Sequence, residues 1–277
     1  MSRSVLTACV FALAAGVLAG AVTAPPAAKT RPAATGPALS PACPEPVEVA
    51  EGPALPPGYK LLYEQNFDKP AGVGDFRFSD PKQWKLAGKG RAAALDFGGG
   101  GRYRPKVRSP HIIGLIADRV FEDFILEADL LQTGKEYAHR DMCLFFGFSG
   151  KSRFYYCHIA SRADNHAHNI FIVNDKPRIK IATKTTRGVD WGKGKWHKVR
   201  LERKASDGTI KVFFDDMTTP IMEANDKTFK SGCVGFGSFD DSGRIDNVRI
   251  WGPKVRKKKS AFFKKKPPRA GGRAPEV

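Results

Sequence analysis

From position 59 to 252 the chain alternates apolar and polar residues in short runs, each broken by turn-forming residues. Period-two alternation places successive side chains on opposite faces of a strand. In "FILEADLL" (124–131), Phe124, Leu126, Ala128 and Leu130 share one face, and Glu127 and Asp129 share the other. "DMCLFFGF" (141–148) and "RFYYCHIA" (153–160) flank "SGKS", which has the make-up of a hairpin loop. In the second of these runs Tyr155, Cys157 and Ile159 face the expected core, and Tyr156 and His158 face the other way. "NIFIVN" (169–174) is set to pair with "RIKIATKT" across Asp175-Lys176-Pro177. "KWHKVRLERK" (195–204) alternates Trp196, Val199 and Leu201 imperfectly with basic residues, which assigns Trp196 to the core. "GTIKVFFDD", "GCVGFGSF" and "GRIDNVRIWG" complete the series, and "DRVFEDF" (118–124) offers at most one turn of helix. Roughly ten short strands without a helical period predict an all-β fold, a two-sheet antiparallel jelly-roll sandwich.

The ends read differently. Residues 1–21 carry one arginine, an apolar run rich in Ala and Gly, and the small-residue stretch Ala19–Ala21. This is a secretory signal pattern and predicts export to the cell envelope, the periplasm or the medium. Residues 22–56 form a Pro/Ala-rich linker, with ten prolines between positions 25 and 57. The folded body spans 57–253, and residues 254–277 form a basic tail expected to be disordered. The formal charge is +18; ten Lys/Arg and one Glu in the tail account for +9, and the body for the other +9. The tail predicts an electrostatic hold on an anionic polymer, or on a membrane surface with Phe262 and Phe263 dipping in. Nothing points to a specific nucleic acid, and nothing sets an oligomeric state. Of five cysteines, Cys143 and Cys157 sit on adjacent predicted strands and can bridge only if their faces agree.

The order "LYEQNFD", Trp84, "RSPHIIGLI", "FEDFILEADL", "FFGF", "FYYCHIA", "GKWHKVRLER", "GTIKVFFDD" and "GCVGFGSFDDSGRIDNVRIWG" resembles the concanavalin-like lectin/glucanase jelly rolls. The closest resemblance is to secreted 3-keto-disaccharide hydrolases and their laminin-G-like relatives. It covers positions 59–252 and implies a carbohydrate ligand. These motifs belong to the fold, which hosts binders and enzymes alike.

Candidate chemistry gathers in a few places. Glu127 and Asp129 share a strand face, and a glycosidase needs two carboxyls across the scissile bond. The laminarinase-type pattern Glu-x-Asp-x-x-Glu ends here in Gln132, which cannot shuttle a proton. In "YAHRD", His139, Arg140 and Asp141 can fork hydrogen bonds to sugar hydroxyls. His158 and Tyr156 are expected to line a ligand groove, with Arg162, Asp164, Asn165, His166, His168 and Asn169 at its rim. His166-Ala167-His168 has a metal-compatible spacing, a weak signal without further ligands. Asp240, Asp241 and Asp246 suit calcium or simply a turn, and Trp191 suits sugar stacking. No cofactor is required. The 3-keto chemistry implied by the resemblance needs a general base, assigned to His158 or His166, and an oxyanion partner, Arg140 or Arg162. The alternative is a lectin-like module without catalysis.

Overall fold

The computed structural model describes residues 55–260 and 262–263. The predicted signal segment, nearly all of the linker and the tail beyond Phe263 lie outside the described residues. In chain order the strands are β1 (Lys60–Gln65), β2 (Phe76–Phe78), β3 (Trp84–Ala87), β4 (Ala94–Phe97), β5 (Ile112–Ile116) and β6 (Arg119–Phe121). There follow β7 (Phe124–Gln132), β8 (Asp141–Gly150), β9 (Arg153–Ala160), β10 (Asn169–Asn174), β11 (Ile179–Lys180) and β12 (Ala182–Thr185). The last six are β13 (Trp196–Lys204), β14 (Thr209–Phe214), β15 (Met222–Asn225), β16 (Cys233–Ser238), β17 (Gly243–Gly252) and β18 (Val255–Lys257).

Two antiparallel sheets form the sandwich. The nine-stranded sheet runs β12-β15-β14-β13-β7-β17-β4-β3, with β1 also on β17. The seven-stranded sheet runs β11-β10-β9-β8-β16-β5-β2. Late strands β16 and β17 sit between early ones, which is the crossover pattern of a jelly roll. β17 manages two partners on one edge: Gly243–Ile245 pair with β4 and Val248–Gly252 with β1. Its ladder with β7 slips between Asp246 and Arg249, where Asn247 takes φ 48; such a bulge bends a strand and increases its twist.

The core between the sheets is the one the alternation predicts. Phe124, Leu126, Ala128 and Leu130 meet Tyr155, Cys157 and Ile159 across it. Each large apolar side chain buried there stabilises the fold by roughly 1.5–3 kcal/mol relative to exposure. The outer face of the seven-stranded sheet carries a second apolar cluster. Ile113, Leu115, Cys143, Phe145, Phe148, Phe154, Tyr156, Phe171 and Val173 are buried there, with Tyr103, Val107, Phe262 and Phe263 packed against them.

Several expectations are corrected. Cys157 stands opposite Leu144 and Cys143 opposite His158, so the two thiols point to different faces and both are free. Trp196 is 41% exposed, because the inward positions of β13 are His197, Val199 and Leu201; period two excludes Trp196, three residues from Val199. "DRVFEDF" holds β6 rather than a helical turn. "RIKIATKT" divides, with β11 in one sheet and β12 in the other. The tail begins folded: β18 pairs with β6, and Phe262 and Phe263 lie against Phe148 at 5.6 and 6.0 Å. The two rings, expected to be free to dip into a membrane surface, are partly buried by that packing. Among the described residues no helix is long and apolar enough to cross a membrane.

Candidate functional site

The face expected to form a groove is closed over its ligand candidates. Tyr156 is fully buried, and its hydroxyl accepts from Arg178 Nη1 at 2.7 Å. The Arg178 guanidinium lies 4.5 Å from the ring centres of both Phe171 and Phe239. Its Nη2 donates to the His166 carbonyl at 2.7 Å. Beneath it His158 is 3% exposed. The His168 N–H donates to His158 Nδ1 at 3.3 Å, so Nε2 bears the proton, and it faces Asp141 Oδ2 at 3.6 Å. Burial, and then the Arg178 charge, hold the His158 pKa well below the ordinary histidine value. A neutral imidazole with its lone pair engaged inside the protein cannot serve a dissolved substrate as a base, so that assignment is withdrawn.

Its neighbours are structural as well. Asp141 accepts from Ser238 Oγ (2.9 Å), the Phe239 N–H (3.1 Å) and Cys143 Sγ (3.2 Å), tying β8 to the end of β16. Burial, then the Asp241 charge, raise its pKa well above the carboxylate range. His168 accepts from the Ala160 N–H and donates through Nε2 to Thr186 Oγ1 at 2.9 Å; burial lowers its pKa to about 4. His166 is exposed while both His168 nitrogens are engaged inside, so the His-x-His spacing builds no metal site. Asn169 Oδ1 accepts from the Ala182 N–H. On the outer face of the nine-stranded sheet, Glu127 is paired with Arg200 at 2.6 Å. Asp129 accepts from Asn247 Nδ2 at 2.7 Å. These carboxylates hold strands together and do not flank an open bond-cleaving site.

The calcium candidates regroup. Donor atoms of Asp141, Asp240 and Asp241 lie within 4.8 Å of one another, and Asp246 belongs elsewhere. Asp241 Oδ2 already accepts from the Tyr137 hydroxyl (2.8 Å) and the Asp141 N–H (2.9 Å). With the Asp141 oxygens also engaged, the trio is a hydrogen-bonded junction between loops and does not fit a calcium cage. Asp141, Cys143 and His158 form a second close group, but the proton on His158 Nε2 blocks ligation there.

An open cleft lies where three loops converge, 133–140, 161–168 and 186–195. Backbone bonds stitch the loops: Arg162 N–H to Ala138 O (2.9 Å), Ala163 N–H to Arg187 O (2.9 Å) and Val189 N–H to Ala160 O (3.1 Å). The cleft is about 570 Å³ and is lined by Glu136, Tyr137, Arg140, Arg162, Arg187, Asp190 and Trp191, among others. Arg140 is buried and fixed by Gln132, with Nε to Oε1 at 2.6 Å and Nη2 to the backbone oxygen at 3.2 Å. The structure places Arg140, Arg162 and Trp191 on the lining of one cleft. Trp191 is 1% exposed and packs edge-on against His197 and Phe214, so it forms wall and not a stacking surface. Tyr137 presents the accessible ring, 46% exposed and tethered at its hydroxyl to Asp241.

Beside the cleft, His139 Nε2 and Asp164 Oδ2 are 2.5 Å apart on the surface. Desolvation opposes charge on Asp164, but the His166 N–H and the His139 imidazole outweigh it and lower its pKa. Asn165 Oδ1 accepts from Lys180 Nζ at 2.8 Å, a surface contact. Sequence reasoning missed Tyr137, Arg178 and Arg187. The signal for Tyr137 was present, an aromatic residue in the polar run "GKEYAHRD"; no local pattern marks Arg178 or Arg187.

The coordinates thus define an all-β antiparallel jelly roll with an end cleft. No family profile matches the chain, and no curated protein matches it. Among solved structures, it is similar to a carbohydrate-binding module, CBM66 from Bacillus subtilis, at 18% identity and TM-score 0.47, covering 64% of this chain and 96% of that one. Domain 4 of AbnA, an extracellular arabinanase from Geobacillus stearothermophilus in complex with arabinotriose, shares 9% identity at TM-score 0.44, covering 73% and 95%. A lectin from Griffonia simplicifolia shares 13% at TM-score 0.43, covering 66% and 93%.

Proposed function

We propose that the protein binds a glycan in the end cleft, with the Tyr137 ring as the stacking platform. The observation that carries this reading is that half-exposed ring, anchored at its hydroxyl on Asp241, in a cleft also lined by the fixed Arg140. A sugar offers an apolar C–H face and a rim of hydroxyls. An aromatic ring meets the first, and Arg140, Arg162 and Asp190 meet the second. The export predicted from the N-terminal run belongs to the same proposal, as does an anionic surface for the basic residues beyond Phe263. Tyr137→Ala is expected to weaken glycan binding roughly tenfold, and Tyr137→Phe, which keeps the ring, far less. Calorimetry against oligosaccharides selected on a glycan array measures this; wild-type affinity in the Ala variant would overturn it.

A second reading, hydrolysis or elimination on 3-keto sugars, is favoured by the His139–Asp164 pair. A ketone at C3 acidifies the C2 proton. His139, oriented by Asp164, would remove it; Arg162 would steady the enolate oxygen, and the leaving group would depart from C1 with the C–O electrons. Turnover of a 3-keto-disaccharide that is unchanged in His139→Ala would exclude this assignment.

A further inference from the structure

We infer that the cleft selects acidic glycans, sugars bearing a carboxylate or a sulfate, through the guanidinium groups of Arg162 and Arg187. This inference rests on the glycan-binding reading and names the ligand class. The Ala163 N–H donates to the Arg187 carbonyl at 2.9 Å, so the two arginines spring from adjoining backbones on one rim. Gly188 packs so closely on the 161–162 segment that an added Cβ would lie 2.1 Å from the Ser161 carbonyl oxygen. The two stems are therefore fixed in register. Both arginines are exposed and line the cleft.

Charge accounting separates them from the other lining groups. Glu136 has Arg140 within 3.9 Å; Asp190 accepts from the Gly192 N–H at 2.9 Å and keeps its charge, so the lining sets three guanidinium groups, Arg140, Arg162 and Arg187, against two carboxylates, Glu136 and Asp190. Arg140 is held by Gln132. Among the described residues, the Arg162 and Arg187 side chains have no hydrogen-bond or ion-pair partner. Two unpaired planar donors on one rim of the cleft can each fork to the oxygens of a carboxylate or sulfate, which a neutral hydroxyl cannot equal in strength. The body's own +9 charge adds a favourable field for an anionic chain.

The test uses the full chain and calorimetry at two salt concentrations. The probes are a uronate oligosaccharide, its carboxyl-reduced neutral counterpart and a sulfated oligosaccharide of equal length. The expected result is that one acidic probe binds about tenfold or more tighter than the neutral match, with the advantage shrinking at high salt. Which acidic probe is preferred identifies carboxylate or sulfate as the recognised group. Arg162→Gln/Arg187→Gln should bring the affinity of the acidic probe down to that of its neutral match in the same variant, with the melting temperature unchanged. Equal binding of acidic and neutral probes overturns the inference while glycan binding stands. So does a preference that survives the double substitution, which would place it in the C-terminal basic run. No binding by any glycan overturns both readings. Tighter binding of a single-stranded oligonucleotide of matched charge, lost in the double variant, makes the partner a nucleic acid and overturns the assignment to sugars.

Discussion

Asp246 carries a carboxyl that folding penalises. It is half-buried on β17, and burial raises its pKa to about 6 against the opposing Asn247 N–H, with Asp129 and Asp68 adding repulsion. A raised carboxyl pKa means the folded state holds the proton longer than the unfolded state. Its contribution is harmless below the unfolded value near 4, and stability is lost as pH rises through about 6. Asp246→Asn should therefore stabilise the protein at pH 7, by about 1 kcal/mol after allowance for solvent screening, and leave pH 3.5 unchanged. Thermal melts at the two pH values check this, and a gain at both would point to a cause other than the charge. At this scale the sequence showed which face each residue takes, as Tyr155 against Tyr156 illustrates. It did not show exposure. His158 is shut in by Arg178, twenty positions along, and by Phe239, about eighty along, and no local pattern encodes either cover.

Among the elements, the loops decide the site and the strands decide only where the loops begin. The strands were legible because alternation needs no partner. The imperfect alternation of β13 misassigned Trp196, since His197 takes the inward position with its ring nitrogens facing the Trp191 carbonyl and Asp215. The cleft was half legible: "YAHRD" and Arg162 were candidates, but their meeting with 186–195 depends on backbone bonds between loops distant in sequence. Gly188 is the point where that meeting is most constrained, with φ 133 and no room for a Cβ. Gly188→Ala should cost roughly 2 kcal/mol or more of stability and abolish glycan binding, because the 161–163 and 186–190 segments must part. Denaturant melts with binding measured on the folded fraction check both; full binding would show that the loops tolerate separation.

At the scale of the molecule, the seven-stranded sheet has apolar side chains on both faces, and the chain covers the outer one with its own segments. One cover is the run holding Tyr103 and Val107; the other is the C-terminal stretch with Phe262 and Phe263, edge-on to Tyr103 at 5.5 Å for Phe263. Ending the chain at Lys259 keeps β18 but removes both rings. The expected loss is about 1–3 kcal/mol, with a rise in fluorescence of an apolar-surface dye that the intact chain does not cause. An unchanged melt would mean the rings contribute nothing to the fold.

The pairing of β1 with β17 fixes one more property. Lys60 lies opposite Gly252, and Trp251 opposite Ile125 at the start of β7. The cleft loop leaves β7 at its other end, after Gln132, eight residues or about 25 Å away. The first strand thus starts beside the end of β17, at the end of the nine-stranded sheet away from the cleft loop, and the chain runs on from there through β18 to Phe262 and Phe263 on the outer face of the other sheet. A protein fused directly ahead of β1 therefore joins this body beside the end of β17 and away from the loop that follows Gln132.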